Sequence, residues 1–76
     1  MKFRRGRLIC EHSGEMTVEY VPHAQWFNGV PSYIELLNLA ESLEQDELVT
    51  LRTPEGDLYN CRVLDSKPDC AVIATL

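Results

Sequence analysis

Apolar and polar side chains alternate strictly from Glu15 to Tyr20, and this period of two predicts a strand with one buried face. The preceding segment, Arg4–His12, predicts a second strand, and Ser13-Gly14 supplies turn residues between the two. We therefore expect a β-hairpin near the start of the chain.

The register of this hairpin depends on the length of its loop. A two-residue loop would place Cys10 opposite Thr17, on the polar face of the second strand. A three-residue loop over residues 13–15 places Cys10 opposite Val18 and gathers the apolar side chains on one face. We expect the second register, because a shift of one residue would turn the whole apolar set to the wrong face.

A helix is predicted after a connector that spans residues 21–31. Ser32 and Glu35 match the capping box S-x-x-E, in which the two side chains accept hydrogen bonds from orphan backbone amides at a helix start. Apolar residues recur at helical spacing until Gln45-Asp46, so we expect about three turns. The carboxylates within residues 41–47 should face water. The inward stripe would consist of Ile34, Leu36, Leu37, Ala40 and Leu43.

The remaining segment, Glu47–Leu76, predicts a meander of three strands. Its strongest turn signal is Thr53–Asp57, where the proline presets φ at the first corner and the glycine accepts the left-handed position. This turn places Val49 opposite Cys61 on one apolar face. A second turn is predicted at residues 65–69.

These elements give the order β-β-α-β-β-β, an α+β fold class and one small domain over residues 1–76. Two architectures remain open: a curled five-stranded half-barrel plugged by the helix, and an open antiparallel sheet with the helix across it. We favour the half-barrel, because a flat sheet would leave apolar residues on a wet face. Those residues are Ile9, Leu48, Leu58, Leu64 and either Val72 or Ile73.

The last predicted strand, residues 70–76, is nearly continuous in apolar residues and carries no charged side chain. Such a run suits a strand that is buried on both faces, and an unguarded edge invites pairing with another chain. We therefore predict a homodimer whose interface includes residues 70–76. Closure of the barrel, in which this strand pairs with Arg4–Cys10, is the alternative.

Charge is unevenly distributed along the chain. Four of the seven cations are Lys2, Arg4, Arg5 and Arg7, whereas Leu8–Leu76 holds three cations and all twelve carboxylates, a net charge of −9. The basic arm, Lys2–Arg7, could contact nucleic acid or an acidic partner. It could instead be an edge strand that its like charges protect from stray pairing.

The cysteines and histidines form no catalytic or metal-binding pattern. Cys10, Cys61 and Cys70 are an odd and widely spaced set, which favours reduced core thiols over a disulfide scaffold. The paired close spacings of structural zinc sites do not occur, and nothing in the sequence identifies a base that would activate a cysteine. We expect a protein that is not an enzyme and that needs no cofactor or metal.

The start of the chain lacks the long apolar run of a signal peptide or a membrane span. Together with the expected reduced thiols, this favours a soluble protein in the cytoplasm that has no membrane partner. The acidic body also argues against general binding to phosphate backbones, which needs a broad basic surface.

The connector carries the strongest candidates for a binding site, His23, Trp26 and Phe27. Tryptophan and phenylalanine bury large areas in protein cores, and aromatic residues are enriched in binding hot spots. The Trp26-Phe27 pair could therefore cap the open end of the sheet, or it could anchor a partner from a loop on a rigid scaffold.

The small size, the acidic body and these aromatic residues favour a non-enzymatic interaction or regulatory module that works through contacts with a protein partner. The alternative is a small β-barrel that binds nucleic acid through the basic arm, although no aromatic-rich strand accompanies that arm. Salt separates the two hypotheses, because phosphate contacts weaken steeply as the salt concentration rises. The expected partner-binding residues are Trp26, Phe27, His23, Arg4, Arg5 and Arg7.

Overall fold

Six antiparallel strands close into a barrel. The computed structural model describes residues 3–26 and 28–76 of the chain. Around the barrel the strands follow the order β1-β2-β3-β6-β5-β4, and β4 closes onto β1. The strands are β1 (Arg4–Cys10), β2 (Gly14–Gln25), β3 (Pro31–Leu37), β4 (Leu48–Arg52), β5 (Leu58–Ser66) and β6 (Ala71–Thr75).

The predicted α+β fold was wrong, since the described residues contain strands and irregular segments but no helix. Neither the five-stranded half-barrel nor the open sheet forms, because a sixth strand replaces the first part of the expected helix. In the part of the chain that the structure describes, no helix is long and apolar enough to cross a membrane.

Two meanders of three strands each, β1–β3 and β4–β6, face one another across the barrel. They join at two seams, where β1 pairs with β4 and β3 pairs with β6, both antiparallel. Each of the six strands therefore pairs on both sides. Closure of this kind removes the exposed strand edges of an open sheet.

Closure changes two expectations about strand edges. β1 is not an edge strand along its whole length, because Arg7–Cys10 pair with both β2 and β4. Within the basic arm, residues 4–6 pair only with β2, and Lys2 lies outside the described residues. The last strand lies between β3 and β5 instead of pairing with Arg4–Cys10. The homodimer through residues 70–76 stays a prediction, and it loses the free-edge argument on which it was based.

The expected helix was wrong because its first residues fit a strand equally well. On β3, Ile34 and Leu36 are buried, whereas Tyr33 is exposed. Burial thus alternates along the strand, and a short apolar run does not by itself distinguish this alternation from a helical pattern. The supposed capping residue Glu35 instead lies in the ladder, opposite Val21 on β2. Pairing with β2 and β6 satisfies the backbone of this segment, so the tertiary context overrides its local helical preference.

The second part of the expected helix forms an irregular plug, residues 38–47, across one end of the barrel. Asn38 adopts a φ of 54° where β3 ends. Leu39 and Leu43 are buried in the core, and the Leu39 amide donates to the Asp69 carbonyl at 2.9 Å. Leu43, which was predicted to face inwards, and Leu39, which was not, thus cover the barrel end without any helix.

The first hairpin also has a different register from the one expected. Its loop is Glu11–Ser13, with Cys10 opposite Gly14 and Leu8 opposite Met16. Gly14 adopts a φ of +73°, which glycine tolerates without steric cost. Because the shift from the preferred register is an even number of residues, the apolar side chains still face the interior.

The second meander matches its prediction. Val49 lies opposite Cys61, and the Thr53 amide donates to the Asp57 carbonyl at 2.9 Å across the predicted turn. Gly56 adopts a φ of +93°, the left-handed position that was assigned to it.

The barrel interior is filled by inward-facing apolar side chains from all six strands. At Gly6 on β1, the backbone of β4 approaches closely. A Cβ atom there would lie 2.7 Å from the Arg52 carbonyl oxygen and 3.1 Å from Cε1 of Tyr20. The fully buried side chains are Leu8, Val18, Tyr20, Ile34, Leu36, Leu51, Cys61, Val63 and Ile73.

Candidate protein-binding surface

Arg4 lies at the mouth of the barrel, the end opposite the plug. Its guanidinium carbon is 5.7 Å from the centroid of the Tyr20 ring, and it donates a hydrogen bond to the carboxylate of Glu55. This hydrogen bond raises the pKa of Arg4 and lowers the pKa of Glu55. Arg4 is therefore engaged within the chain rather than carried on a free arm.

The Tyr20 hydroxyl at this mouth is buried and has no hydrogen-bond partner among the described residues. Burial raises the pKa of Tyr20, and the nearby positive charge of Arg4 opposes that effect. The ring borders a depression of about 130 Å³ that Gln25 and Tyr59 also line. A polar group from solvent would relieve the cost of the unpaired hydroxyl.

Arg7 points outwards from β1 and lies directly opposite Arg52 of β4. Both approach the same oxygen of Glu15, with Arg7 Nε at 3.8 Å and Arg52 Nη2 at 3.4 Å from Oε1. Arg7 also donates to the hydroxyl of Thr17 at 3.1 Å. Like charges directly opposite each other disfavour strand pairing, and a single carboxylate balances only one of the two.

His23 lies on the outer face of β2, on the far side of the barrel from β4 and β5. Its ring stacks on Tyr33 with a centroid distance of 5.0 Å and an interplanar angle of 10°. Its Nε2 lies 3.1 Å from Oε1 of Glu35. These contacts leave the His23 side chain only partly exposed.

Trp26 projects from the loop between β2 and β3 and is 54% exposed. Its indole nitrogen donates to the hydroxyl oxygen of Thr75 at 2.8 Å, and its backbone amide donates to the Val30 carbonyl at 2.7 Å. The indole is thus held in place while half of its surface faces solvent, which favours the anchor hypothesis over the cap. Phe27, the other half of the predicted pair, lies outside the described residues.

A depression of about 390 Å³ lies on the outside of β1, β4 and β5. Its apolar walls come from Ile9, Leu48 and Leu76, of which Leu48 is 43% and Leu76 74% exposed. Between them, the Thr50 hydroxyl donates to Oδ1 of Asn60 at 3.1 Å, so the polar groups of the floor satisfy one another.

A second depression of about 250 Å³ continues from the first, since Asn60 and Leu76 line both. Trp26 and Leu58 form its apolar rim, and Leu58 is 60% exposed. We call the two depressions together the apolar groove, defined by Ile9, Trp26, Leu48, Leu58 and Leu76.

Comparison with known proteins adds nothing to this geometry. No protein-family model, curated protein or solved structure matches the chain. Its function is therefore argued from the site alone.

The charged side chains divide between two sides of the barrel. Four of the five arginines are exposed on the outer faces of β1, β4 and β5, around the apolar groove. The outer faces of β2 and β3 instead carry carboxylates, including Glu19 and Glu35. The four arginines are Arg5, Arg7, Arg52 and Arg62.

The cysteines are free thiols, two of them deep in the core. Burial raises the pKa of Cys10 to about 11 and that of Cys61 to about 12, and Glu47 contributes to the shift at Cys10. A thiol with such a high pKa is a poor nucleophile. Among the described residues, no three His, Cys, Asp or Glu side chains converge in a way that could hold a metal ion.

The structure separates the predicted partner-binding residues. Trp26 lines the apolar groove, and Arg5 and Arg7 lie on the same side of the barrel. Arg4 is engaged at the mouth, and His23 lies on the far side. The sequence reasoning did not predict the leucines of the groove as a binding site. It identified Leu48 and Leu58 as residues that a flat sheet would expose, and it placed Leu76 in the predicted dimer interface.

Proposed function

We propose that this protein is a non-enzymatic interaction module that binds a protein partner through the apolar groove. The observation that carries the proposal is a set of apolar side chains around the Thr50–Asn60 pair, outside a barrel whose interior is already filled. The leucines of this set are 43% to 74% exposed, and exposed apolar surface of this kind marks interaction sites in soluble proteins. A location in the cytoplasm, where free thiols persist, is part of the proposal.

The composition of the groove resembles that of binding hot spots. A half-exposed tryptophan, fixed by its hydrogen bond to Thr75, offers a large contact area at little cost in side-chain entropy. Leu58 and Leu76 flank it, and a partner that covers them removes their apolar surface from water.

Nucleic acid is the second candidate, and the four outward-facing arginines around the groove favour it. Two of them share Glu15, which reduces the positive charge available to phosphates. Trp26 and Tyr59 offer rings at one end of the groove, but the rest of its apolar lining is aliphatic and lacks the ring surface on which bases stack. We therefore place the protein partner first.

Site-specific photocrosslinking in the cells that produce the protein tests the proposal. A photoreactive amino acid replaces Leu48 in one variant and Tyr33 in the control, because the two residues are 43% and 42% exposed on opposite sides of the barrel. We expect a discrete adduct from position 48 that protease removes and nuclease does not, with none at position 33. Nuclease-sensitive adducts, or equal adducts from both positions, would contradict the proposal.

A further inference from the structure

The strand register arranges the outer side chains near the groove in three parallel rows. The middle row runs from Ile9 through Thr50 to Asn60, and Leu76 extends it because its amide donates to the Asn60 carbonyl at 2.9 Å. This row is the floor of the larger depression. It crosses four neighbouring strands and is therefore about 14 Å long, because adjacent strands lie about 4.8 Å apart.

Arginines occupy the rows on both sides of this floor. The row nearer the mouth contains Arg7, Arg52 and Leu58, which are opposite one another in the ladders. The row nearer the plug pairs Leu48 with Arg62. A segment that lies along the floor thus has guanidinium groups on either side of it.

These arginines hold positive charge that the described residues do not balance. Arg7 and Arg52 share one oxygen of Glu15, so one of the two charges lacks a counter-charge. Arg62 is exposed and makes no ion pair with any described residue. A carboxylate brought by a partner could pair with either, and arginine is well suited to bind it through two parallel hydrogen bonds.

The rest of the barrel surface has the opposite charge. Glu19 and Glu35 lie on the outer faces of β2 and β3, and the plug exposes Glu41, Glu44 and Asp46. The groove itself also has carboxylates, since Glu11 lines the larger depression and Glu15 lies opposite Ile9. The three arginines of the two rows outnumber these two carboxylates, so an acidic partner is repelled from the far side and the plug and is attracted to the arginine rows. This difference in potential favours one docking position and speeds the encounter.

We infer that the partner presents a short acidic segment whose carboxylates alternate with leucine-like side chains. This inference rests on the proposed function and names the partner's chemistry. The apolar side chains pack against Ile9 and Leu76 at the two ends of the floor, and the carboxylates pair with Arg52 and Arg62. Because the closed barrel pairs all six strands on both sides, the segment is recognised by its side chains rather than by adding a strand. An extended chain of about four or five residues spans the floor.

Three synthetic peptides that differ only in charge test the inference. Each carries the same alternating leucines, and the intervening residues are Asp, Ser or Lys. Binding is measured through the fluorescence of Trp26, the only tryptophan in the chain, which lines the groove. We expect the Asp peptide to bind about tenfold more tightly than the Ser peptide, with the Lys peptide weakest, and to lose this advantage at high salt.

A pair of charge reversals gives the matched control. Arg62→Glu should weaken binding of the Asp peptide about five- to tenfold and strengthen binding of the Lys peptide. Lys67→Glu changes the net charge equally but lies in the β5–β6 turn near the plug, and it should leave both affinities unchanged.

Different results would overturn the acidic-segment inference and the proposed protein-binding function. If the Ser peptide binds as tightly as the Asp peptide, the groove still binds apolar segments and only the acidic character of the partner is overturned. If a thymidine oligonucleotide binds and none of the peptides does, both the inference and the protein-binding function are overturned. Equal effects of Arg62→Glu and Lys67→Glu would show that net charge acts rather than the groove, and would also overturn the inference.

Discussion

The two faces of strands β1, β4 and β5 both carry apolar side chains, yet these side chains differ in their surroundings. On β4, Leu51 points inwards and is 0% exposed, whereas Leu48 points outwards and is 43% exposed. The inner face belongs to a filled core to which all six strands contribute, and the outer face borders the apolar groove. The comparison shows that an apolar residue type alone does not identify a core position, because two leucines of the same strand differ completely in exposure.

The largest expected effect is a difference in unfolding free energy between a substitution on the inner face and one on the outer face. Leu51→Ala leaves a cavity in the packed interior and should lower the free energy of unfolding by about 2–5 kcal/mol. Leu48→Ala should change it by less than about 0.5 kcal/mol, because its surroundings are solvent. Chemical denaturation of both variants measures the difference. Equal losses would mean that the outer face also contributes to the core.

Gly6→Ala should have the next largest effect, through the seam that holds the groove strands together. The added methyl group would meet the Arg52 carbonyl at 2.7 Å, and such overpacking costs about 1–3 kcal/mol. Gly14→Ala is the control, because its φ of +73° is strained for alanine but no atom lies within 4 Å of the new Cβ. We expect a lower denaturation midpoint for Gly6→Ala than for Gly14→Ala, and the reverse order would show that the seam can relax.

The reactivity of the core thiols tests whether a reagent reaches the interior of the barrel. Since burial raises the pKa of Cys61 to about 12 from the ordinary 9.0, its thiol should stay protonated and unlabelled in the folded protein at pH 8. Cys10 should behave likewise, and partly exposed Cys70 should react first. Mass spectrometry after brief alkylation measures the order, and rapid labelling of Cys61 would contradict the closed barrel.

The raised pKa values of the Cys10 and Cys61 thiols also predict how the stability of the fold changes at alkaline pH. The unfolded chain releases these protons near pH 9, whereas the folded chain retains them until about pH 11 to 12. Their contribution to stability is therefore complete below pH 9 and is lost as the pH rises through the folded values. Cys61→Ala should reduce the slope of unfolding free energy against pH in that range.

The smallest expected effect concerns the mouth of the barrel. Arg4 lowers the pKa of Glu55 by donating a hydrogen bond to its carboxylate, so Arg4→Gln should raise the pKa of Glu55 towards its ordinary value. The ion pair therefore stabilises the fold at a pH above the ordinary pKa of a carboxyl group. This contribution is lost as the pH falls through the lowered pKa of Glu55. NMR titration of the Glu55 carboxyl carbon measures the shift, and an unchanged pKa would mean that the pair does not persist in solution.

Sequence patterns predicted the parts of the fold that are decided locally. The turn around Gly56 was confirmed because proline and glycine restrict the backbone whatever surrounds them. Ile34 and Leu36 were assigned to a helix because each lies three or four residues before another apolar residue, Leu37 or Ala40. Their own separation of two residues fits a strand, and the pairing with β2 and β6 decides for the strand. The loop of the first hairpin was misplaced because Gly14 was assigned to the middle of the turn rather than its end.

The candidate site was predictable only in part, for a related reason. Trp26 was identified from its residue type and its loop position, and the structure places it on the groove. The groove itself joins residues as far apart in the chain as Ile9 and Leu76, which are brought together only by the seams of the barrel. Buried Glu47 was expected to face water with its acidic neighbours, yet its Oε1 accepts from the Glu44 amide at 3.0 Å.

The two seams between the meanders have a consequence for the order of folding. Arg7 pairs with Arg52 and Ile34 pairs with Ile73, contacts between residues that are distant in sequence, whereas the hairpins within each meander are local. Local hairpins form quickly and distant pairings slowly, so we expect two preformed meanders to dock late and together. Until they dock, each meander exposes two bare strand edges, and this interval is when the chain is most prone to aggregate.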